Sequence, residues 1–129
     1  MAKIQVVPDQ VPERRILKAD RYLVEVQKAT VGKSPKGNTT LKLETVCIDG
    51  PEQEWGSPNG FGITKTVWVD PKSRDLQNAI EAYGINVGAD GWDPDDFVAK
   101  QAWASVVVRM YEGEPVNDVR KFFPMESNA

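Results

Sequence analysis

Two strand-like runs and the turn-rich loop between them decide the fold: residues 22–48 read YLVEVQKATVGKSPKGNTTLKLETVCI. From Tyr22 to Lys28, apolar and polar residues alternate with the period of a half-buried strand, and the run from Thr39 to Ile48 begins in the same way. The side chains that this alternation directs toward a core are Tyr22, Val24, Val26, Leu41 and Leu43. We therefore predict a hairpin that starts a small β-barrel.

The loop of this hairpin, residues 31–38, is rich in the residues that backbone turns favour, among them Gly, Pro and Asn. It places Lys33 and Lys36 on an exposed tip. Two interpretations stay open, because surface lysines are usually just solvated but can also neutralise the phosphates of a ligand.

The composition argues against an enzyme. The chain contains no histidine and one cysteine, Cys47, which its place in a strand marks as a buried small hydrophobe. This excludes a histidine base, the Ser–His and Cys–His nucleophile pairs, and a cysteine cluster for zinc. No Gly-rich phosphate loop ending in Gly-Lys-Ser or Gly-Lys-Thr occurs either. We predict no catalytic residues and no cofactor.

The acidic stretch 90–96 is the one place that suggests a metal. Its spacing does not match a calcium-binding loop. We interpret Asp93 as the cap of a short helix with Pro94 in its first position, and we assign no metal.

Cysteine content and hydropathy predict the compartment. A single cysteine cannot form an internal disulfide, which favours a reducing, cytoplasmic setting. No stretch approaches the roughly 18 apolar residues that span a bilayer, so we expect a soluble protein with no membrane partner. The net charge of −3 leaves a polyanionic ligand open, because local clusters among the 16 lysines and arginines can still attract phosphates.

The remaining segments complete one domain, residues 20–124, between an extended N-terminal arm at 1–19 and a disordered tail at 125–129. After the hairpin we predict a strand at 63–69, a helix at 73–83, and strands at 102–111 and 116–123. Asp70 or Ser73 is expected to cap the helix, and Gly84 to end it.

The fourth strand has the longest apolar run. Alternation assigns to its core face Ala102, Ala104, Val106, Val108 and Met110. The opposite face then carries Trp103, Ser105, Val107, Arg109 and Tyr111.

The element order is strand, strand, strand, helix, strand, strand, which is the order of the OB-fold. We therefore predict an all-β protein with one inserted helix: a five-stranded antiparallel Greek-key barrel with the helix between strands 3 and 4. In that fold, ligands cross strands 2 and 3 between the loops that join strands 1 to 2 and 4 to 5.

The candidate nucleic-acid-binding residues follow from this placement. Strands 2 and 3 contribute Lys42, Thr64, Thr66 and Trp68, beside Lys33 and Lys36 of the loop. In the glycine-rich loop before strand 3, Trp55 and Phe61 either cover a barrel end or stack on a ligand. On the fourth strand, Trp103, Arg109 and Tyr111 form a possible second stacking surface. A homodimer burying Trp103, Val107 and Tyr111 is the alternative for that face.

Several short motifs resemble a group of small phage-encoded proteins that bind single-stranded DNA. The matching stretches are Arg21–Val26, Lys33–Asn38, Leu41–Leu43, Tyr111–Gly113 and Asn117–Val119. The resemblance covers roughly residues 20–124. It implies an OB-fold that protects single strands during phage DNA replication or recombination, in the cytoplasm of the infected bacterial host. Many single-strand binders end in an acidic tail with a terminal aromatic, whereas this chain ends in Pro124-Met125-Glu126-Ser127-Asn128-Ala129.

The sequence thus predicts a protein that binds single-stranded DNA without sequence preference. Bases would stack on aromatic side chains while lysines follow the phosphates. The alternative is a protein-interaction or virion assembly module that uses the same barrel without nucleic acid. The negative net charge and the acidic loop at Glu112 and Glu114 favour that alternative.

Overall fold

A computed structural model describes residues 15–125 of the chain. The elements in chain order are β1 (Asp20–Lys33), β2 (Thr39–Asp49), β3 (Gly62–Trp68), α1 (Arg74–Tyr83), a 3-10 helix (Pro94–Phe97), β4 (Gln101–Tyr111) and β5 (Glu114–Phe123). This confirms the predicted order, with one helix between strands 3 and 4. All of the predicted tail except Met125, and all but the last five residues of the predicted arm, lie outside the described residues.

The five strands form one antiparallel sheet in the order β3-β2-β1-β4-β5. Its edge strands, β3 and β5, are not joined by a hydrogen-bonded ladder within residues 15–125. An ion pair does connect them, since Lys65 Nζ lies 3.7 Å from Asp118 Oδ1. Closure of the sheet into an OB barrel therefore stays a prediction.

The core lies on one face of this sheet, and α1 covers it. All five hairpin side chains that the alternation directed inward are buried. From α1, Leu76, Ala79 and Tyr83 pack into the same cluster. Both predicted caps of the helix are confirmed, because Ser73 Oγ accepts a hydrogen bond from Leu76 N at 3.2 Å and Gly84 adopts a left-handed φ of 69°.

The first strand is longer than the sequence predicted. It runs on to Lys33 instead of ending near Lys28, so the tip loop is shorter than residues 31–38. The reason is a β-bulge at Gln27, where the pairing passes from Val26 opposite Thr45 to Lys28 opposite Glu44. The extra residue breaks the period of two, and the alternation read from the sequence stops at the bulge.

The predicted core face of β4 is correct as far as Val106 and wrong beyond it. Val108 is 40% exposed and Met110 is 66% exposed. Strand β1 pairs with β4 only between Gln101 and Val106, so the end of the β4–β5 hairpin projects past the core. Glu112 and Gly113 turn this hairpin with positive φ angles of 51° and 81°.

The short helix at Pro94–Phe97 confirms that Asp93 caps a helix with Pro94 in its first position. Asp93 forms a capping box with Asp96, and Asp93 Oδ1 accepts a hydrogen bond from Asp95 N at 2.9 Å. Across residues 15–125, no group of three or more His, Cys, Asp or Glu side chains is placed to hold a metal ion. No helix in the same part of the chain is long and apolar enough to cross a membrane.

Residues 15–18, which we call the strap, are held to the sheet by side chains. The Asn117 side chain forms hydrogen bonds with both backbone groups of the buried Leu17. Its Oδ1 accepts from Leu17 N and its Nδ2 donates to Leu17 O, each at 2.8 Å. Lys18 N donates to Gln53 Oε1 at 2.9 Å, and Lys18 O accepts from the Tyr22 hydroxyl at 2.7 Å. Side chains thus supply hydrogen-bond partners for the backbone of the strap, which belongs to no strand.

Candidate nucleic-acid interface

The outer face of β2 and β3 brings four of the predicted site residues together. Lys42 lies directly opposite Thr66, and Trp68 lies opposite Thr40. Opposite residues of an antiparallel pair share a face of the sheet. We call Lys42, Thr64, Thr66 and Trp68 the Trp68 face. Trp68, the last residue of the edge strand β3, is 59% exposed, a large value for a tryptophan.

The two lysines of the hairpin loop stand at the same end of the sheet as Trp68. Lys33 pairs with Thr39, and Thr39 O accepts a hydrogen bond from Val69 N at 2.9 Å, so β3 ends beside the tip. Gly37 N donates to Ser34 O at 2.8 Å and closes a turn that has Lys36 at its third position. Lys36 therefore stands on a hydrogen-bonded turn, and Lys33 ends β1 beside it.

A cleft of about 520 Å³ continues the Trp68 face toward the start of α1. Its lining includes Trp68, the cations Lys72 and Arg74, and the acids Asp70 and Asp75. Hydrophobic alternation does not indicate these two cations, because in sequence residues 70–74 are typical only of the end of a strand and the start of a helix. The signal available in the sequence was a lysine and an arginine within six residues of an outward tryptophan.

Trp55 and Phe61 pack on each other in the loop before β3. Their ring centroids are 5.9 Å apart, and both rings are partly buried against the core. Trp55 Nε1 donates to Ile16 O at 3.3 Å, and the Arg15 guanidinium lies 5.2 Å from its ring centroid. Of the two interpretations left open for this pair, the geometry favours the one in which the rings cover one end of the sheet. At that end Trp55 also contacts the strap.

The predicted residues of β4 are spread along its outer face. Trp103 is half-buried between Leu23 of β1 and Phe123 of β5, which are its partners on the two sides. Arg109 Nε lies 3.6 Å from Asp118 Oδ2, and this carboxylate also pairs with Lys65. Tyr111 is 61% exposed at the end of the hairpin. These side chains belong to a different surface from the Trp68 face.

The titratable groups with shifted pKa values are buried and lie off both surfaces. Burial raises the pKa of the Cys47 thiol and of the Tyr22 and Tyr83 hydroxyls. A thiol with a raised pKa is a poor nucleophile at neutral pH. The two surfaces instead offer exposed aromatic rings, hydroxyls and cations, which are groups that bind ligands.

No protein-family model matches this chain, and no curated protein matches it either.

Proposed function

We propose that this protein binds single-stranded DNA without sequence preference, as an OB-type barrel that acts in phage DNA replication or recombination inside the bacterial host. The observation that carries the proposal is the exposed Trp68 indole on the outer face of β2 and β3. An exposed indole gives a nucleobase a stacking surface, and such stacking is worth about 1–3 kcal/mol per base. Stacking on an indole does not distinguish one base from another.

The cations around Trp68 support the same proposal. Lys42 lies on its sheet face, Lys33 ends β1 at the same end of the sheet, Lys36 stands on the adjoining turn, and Lys72 and Arg74 line the cleft. Lysines placed along such a path neutralise phosphates and release counterions, which makes binding salt-dependent. This local clustering reconciles a polyanionic ligand with a net charge of −3.

A second candidate function is a protein-interaction or virion assembly module without nucleic acid. The projecting end of the β4–β5 hairpin favours it, because Val108, Met110 and Tyr111 are all exposed there. Exposed apolar groups of this kind mark protein interfaces. Glu112 and Glu114 at the same end favour a protein partner over DNA.

The first test is a titration of the intrinsic tryptophan fluorescence with a long unstructured DNA single strand, and with the same sequence as duplex. We expect strong quenching by the single strand alone, with an affinity that falls with salt by a log-log slope of about −0.7 per phosphate contacted. No change with either DNA would favour the interaction module.

Variants then test the site, with binding followed by the anisotropy of a labelled single strand. We expect Trp68→Ala to weaken binding about 5- to 150-fold, the equivalent of about 1–3 kcal/mol of lost stacking, and Trp68→Phe to retain part of it. Lys33→Ala/Lys36→Ala should make the salt slope shallower by about 1.4. Lys100→Ala, an exposed lysine outside the site, is the control. Normal binding by both Trp68→Ala and Lys33→Ala/Lys36→Ala, with the fold intact by circular dichroism, would refute this site.

A further inference from the structure

A second group of aromatic and basic side chains lies on the outer face of β1, β4 and β5. Leu23, Trp103 and Phe123 form one row across these strands. In the neighbouring row, Ser105 separates Arg21 from Lys121. We call Arg21, Trp103, Lys121 and Phe123 the Phe123 patch.

Both cations of the patch converge on one ring. The Arg21 guanidinium lies 4.0 Å from the Phe123 ring centroid, and Lys121 Nζ lies 5.3 Å from it. Such cation–π contacts hold the cations against the ring while their outer sides face water. Arg21 and Lys121 are exposed, whereas Phe123 and Trp103 are half-buried. The patch therefore presents two positive charges beside two half-buried aromatic rings.

These charges are not neutralised by acids within the described part of the chain. Among residues 15–125, neither Arg21 nor Lys121 forms an ion pair with a carboxylate. The nearest acid in sequence, Asp20, accepts a hydrogen bond from the Arg21 backbone N at 2.7 Å. On the same face, Glu25 accepts from the amides of Gln27 and Gln101. The patch keeps a positive charge on a protein that is acidic overall.

We infer that the Phe123 patch binds phosphates of the same single strand that occupies the Trp68 face, an inference that rests on the proposed function. A second copy of the chain fits the patch less well. In a twofold interface the same surface meets itself, which would bring Arg21 and Lys121 of both copies together at the cost of like-charge repulsion. An anionic ligand meets the same charges with attraction.

The two surfaces lie far apart on the sheet. Trp68 pairs with Thr40, whose partner on β1 is Gly32, whereas Trp103 pairs with Leu23 of β1. At about 3.3 Å per strand residue, the distance along β1 between these rows is on the order of 30 Å. A single strand of about 4 nucleotides, at the lower end of OB-fold site sizes, thus occupies one surface, whereas one of about 30 exceeds the footprint of an OB domain and reaches both.

The test compares Arg21→Gln/Lys121→Gln with the wild-type chain, using labelled oligothymidylates of about 4 and about 30 nucleotides. For the longer strand, we expect the variant's log-log salt slope to be shallower by about 1.4, because two phosphate contacts are lost. For the shorter strand, we expect an unchanged slope, because the Trp68 face is intact. Lys18→Gln/Lys100→Gln, which removes two exposed lysines elsewhere, should match the wild type with both strands.

Circular dichroism and sedimentation velocity of each variant complete the experiment. If the wild type binds the longer strand and the variant's slope is unchanged, the inference is wrong while the proposed function stands. If the variant instead alters the oligomeric state and leaves the slope unchanged, the patch is a contact between copies and the inference is equally wrong. If the wild type binds neither strand, both the inference and the proposed function fail.

Discussion

At the scale of single residues, two buried tyrosines of the core have opposite hydrogen-bonding environments. The Tyr83 hydroxyl is the one buried side-chain polar atom, within residues 15–125, that lacks a hydrogen-bond partner. Its ring packs against Phe97 and Phe122, with centroids 5.7 Å and 5.0 Å away. The Tyr22 hydroxyl, in contrast, donates to Lys18 O and accepts from Gln53 Nε2 at 2.8 Å.

We expect Tyr83→Phe to raise the free energy of unfolding by about 1 kcal/mol, because it removes a buried hydroxyl that gains no hydrogen bond. Tyr22→Phe is the matched control and should lower it by about 1 kcal/mol, since it breaks two hydrogen bonds of the strap network. Urea denaturation of both variants measures the difference. A loss of stability in Tyr83→Phe as large as in Tyr22→Phe would contradict this assignment.

The same hydroxyl predicts a dependence on alkaline pH. Burial raises the pKa of Tyr83 above its ordinary value of 10.0, so the folded state keeps the proton when the unfolded state has lost it. The ionisation of Tyr83 therefore leaves the free energy of unfolding unchanged well below pH 10 and lowers it above pH 10, by up to about 1.4 kcal/mol per pH unit. Unfolding of wild type and Tyr83→Phe between pH 8 and 11 should show the variant losing less stability. Parallel curves would contradict the prediction.

At the scale of elements, the strap depends on one side chain of β5. Asn117 makes two hydrogen bonds to Leu17, its partner across 100 positions of sequence. We expect Asn117→Ala to lower the free energy of unfolding by about 1–3 kcal/mol, because Leu17 N and O lose their partners. Amide exchange at residues 16–18 should speed up more than exchange in β2.

The exposed Asn86 provides the control for this change. Asn86→Ala should stay within about 0.5 kcal/mol of the wild type, as surface substitutions usually do. Equal effects of the two alanine variants, or unchanged exchange at residues 16–18, would show that the strap does not depend on Asn117.

The strap also shows how far the sequence could predict this molecule. Alternation predicted the strands and the inward side chains of the hairpin because that information is local. Nothing local marks Asn117 as the partner of Leu17, so the end of the arm was predicted only as extended chain. The same limit applies to the site: Trp68 and Lys42 could be predicted from alternation, whereas the meeting of Arg21 with Phe123 depends on strand order and could not.

At the scale of the whole molecule, an ion pair connects the two edge strands of the sheet, β3 and β5. Asp118 of β5 lies within 4 Å of Lys65 on β3 and of Arg109 on β4. The Lys65 side chain is 16% exposed, so it is the most sheltered member of this group. An ion pair shielded in this way is screened less by salt than one on the open surface.

We expect Asp118→Asn to lower the free energy of unfolding by about 1 kcal/mol, because Lys65 loses its counter-charge while Asn can still accept the hydrogen bond from Val119 N. In the Lys65→Met background the same change should cost less, and a double-mutant cycle measures that coupling. Asp70→Asn, an exposed acid outside the group, is the control. Strictly additive effects would mean that the pair does not hold the edges together.

The bulge at Gln27 has a consequence for how this hairpin can change length during evolution. Val26 pairs with Thr45 and Lys28 with Glu44, so the partners on either side of Gln27 are already neighbours on β2. A relative that lacks this residue would keep every cross-strand pair and lose only the local bend. Its sequence would align with this one through a gap of a single residue at that point, with Lys33 still opposite Thr39.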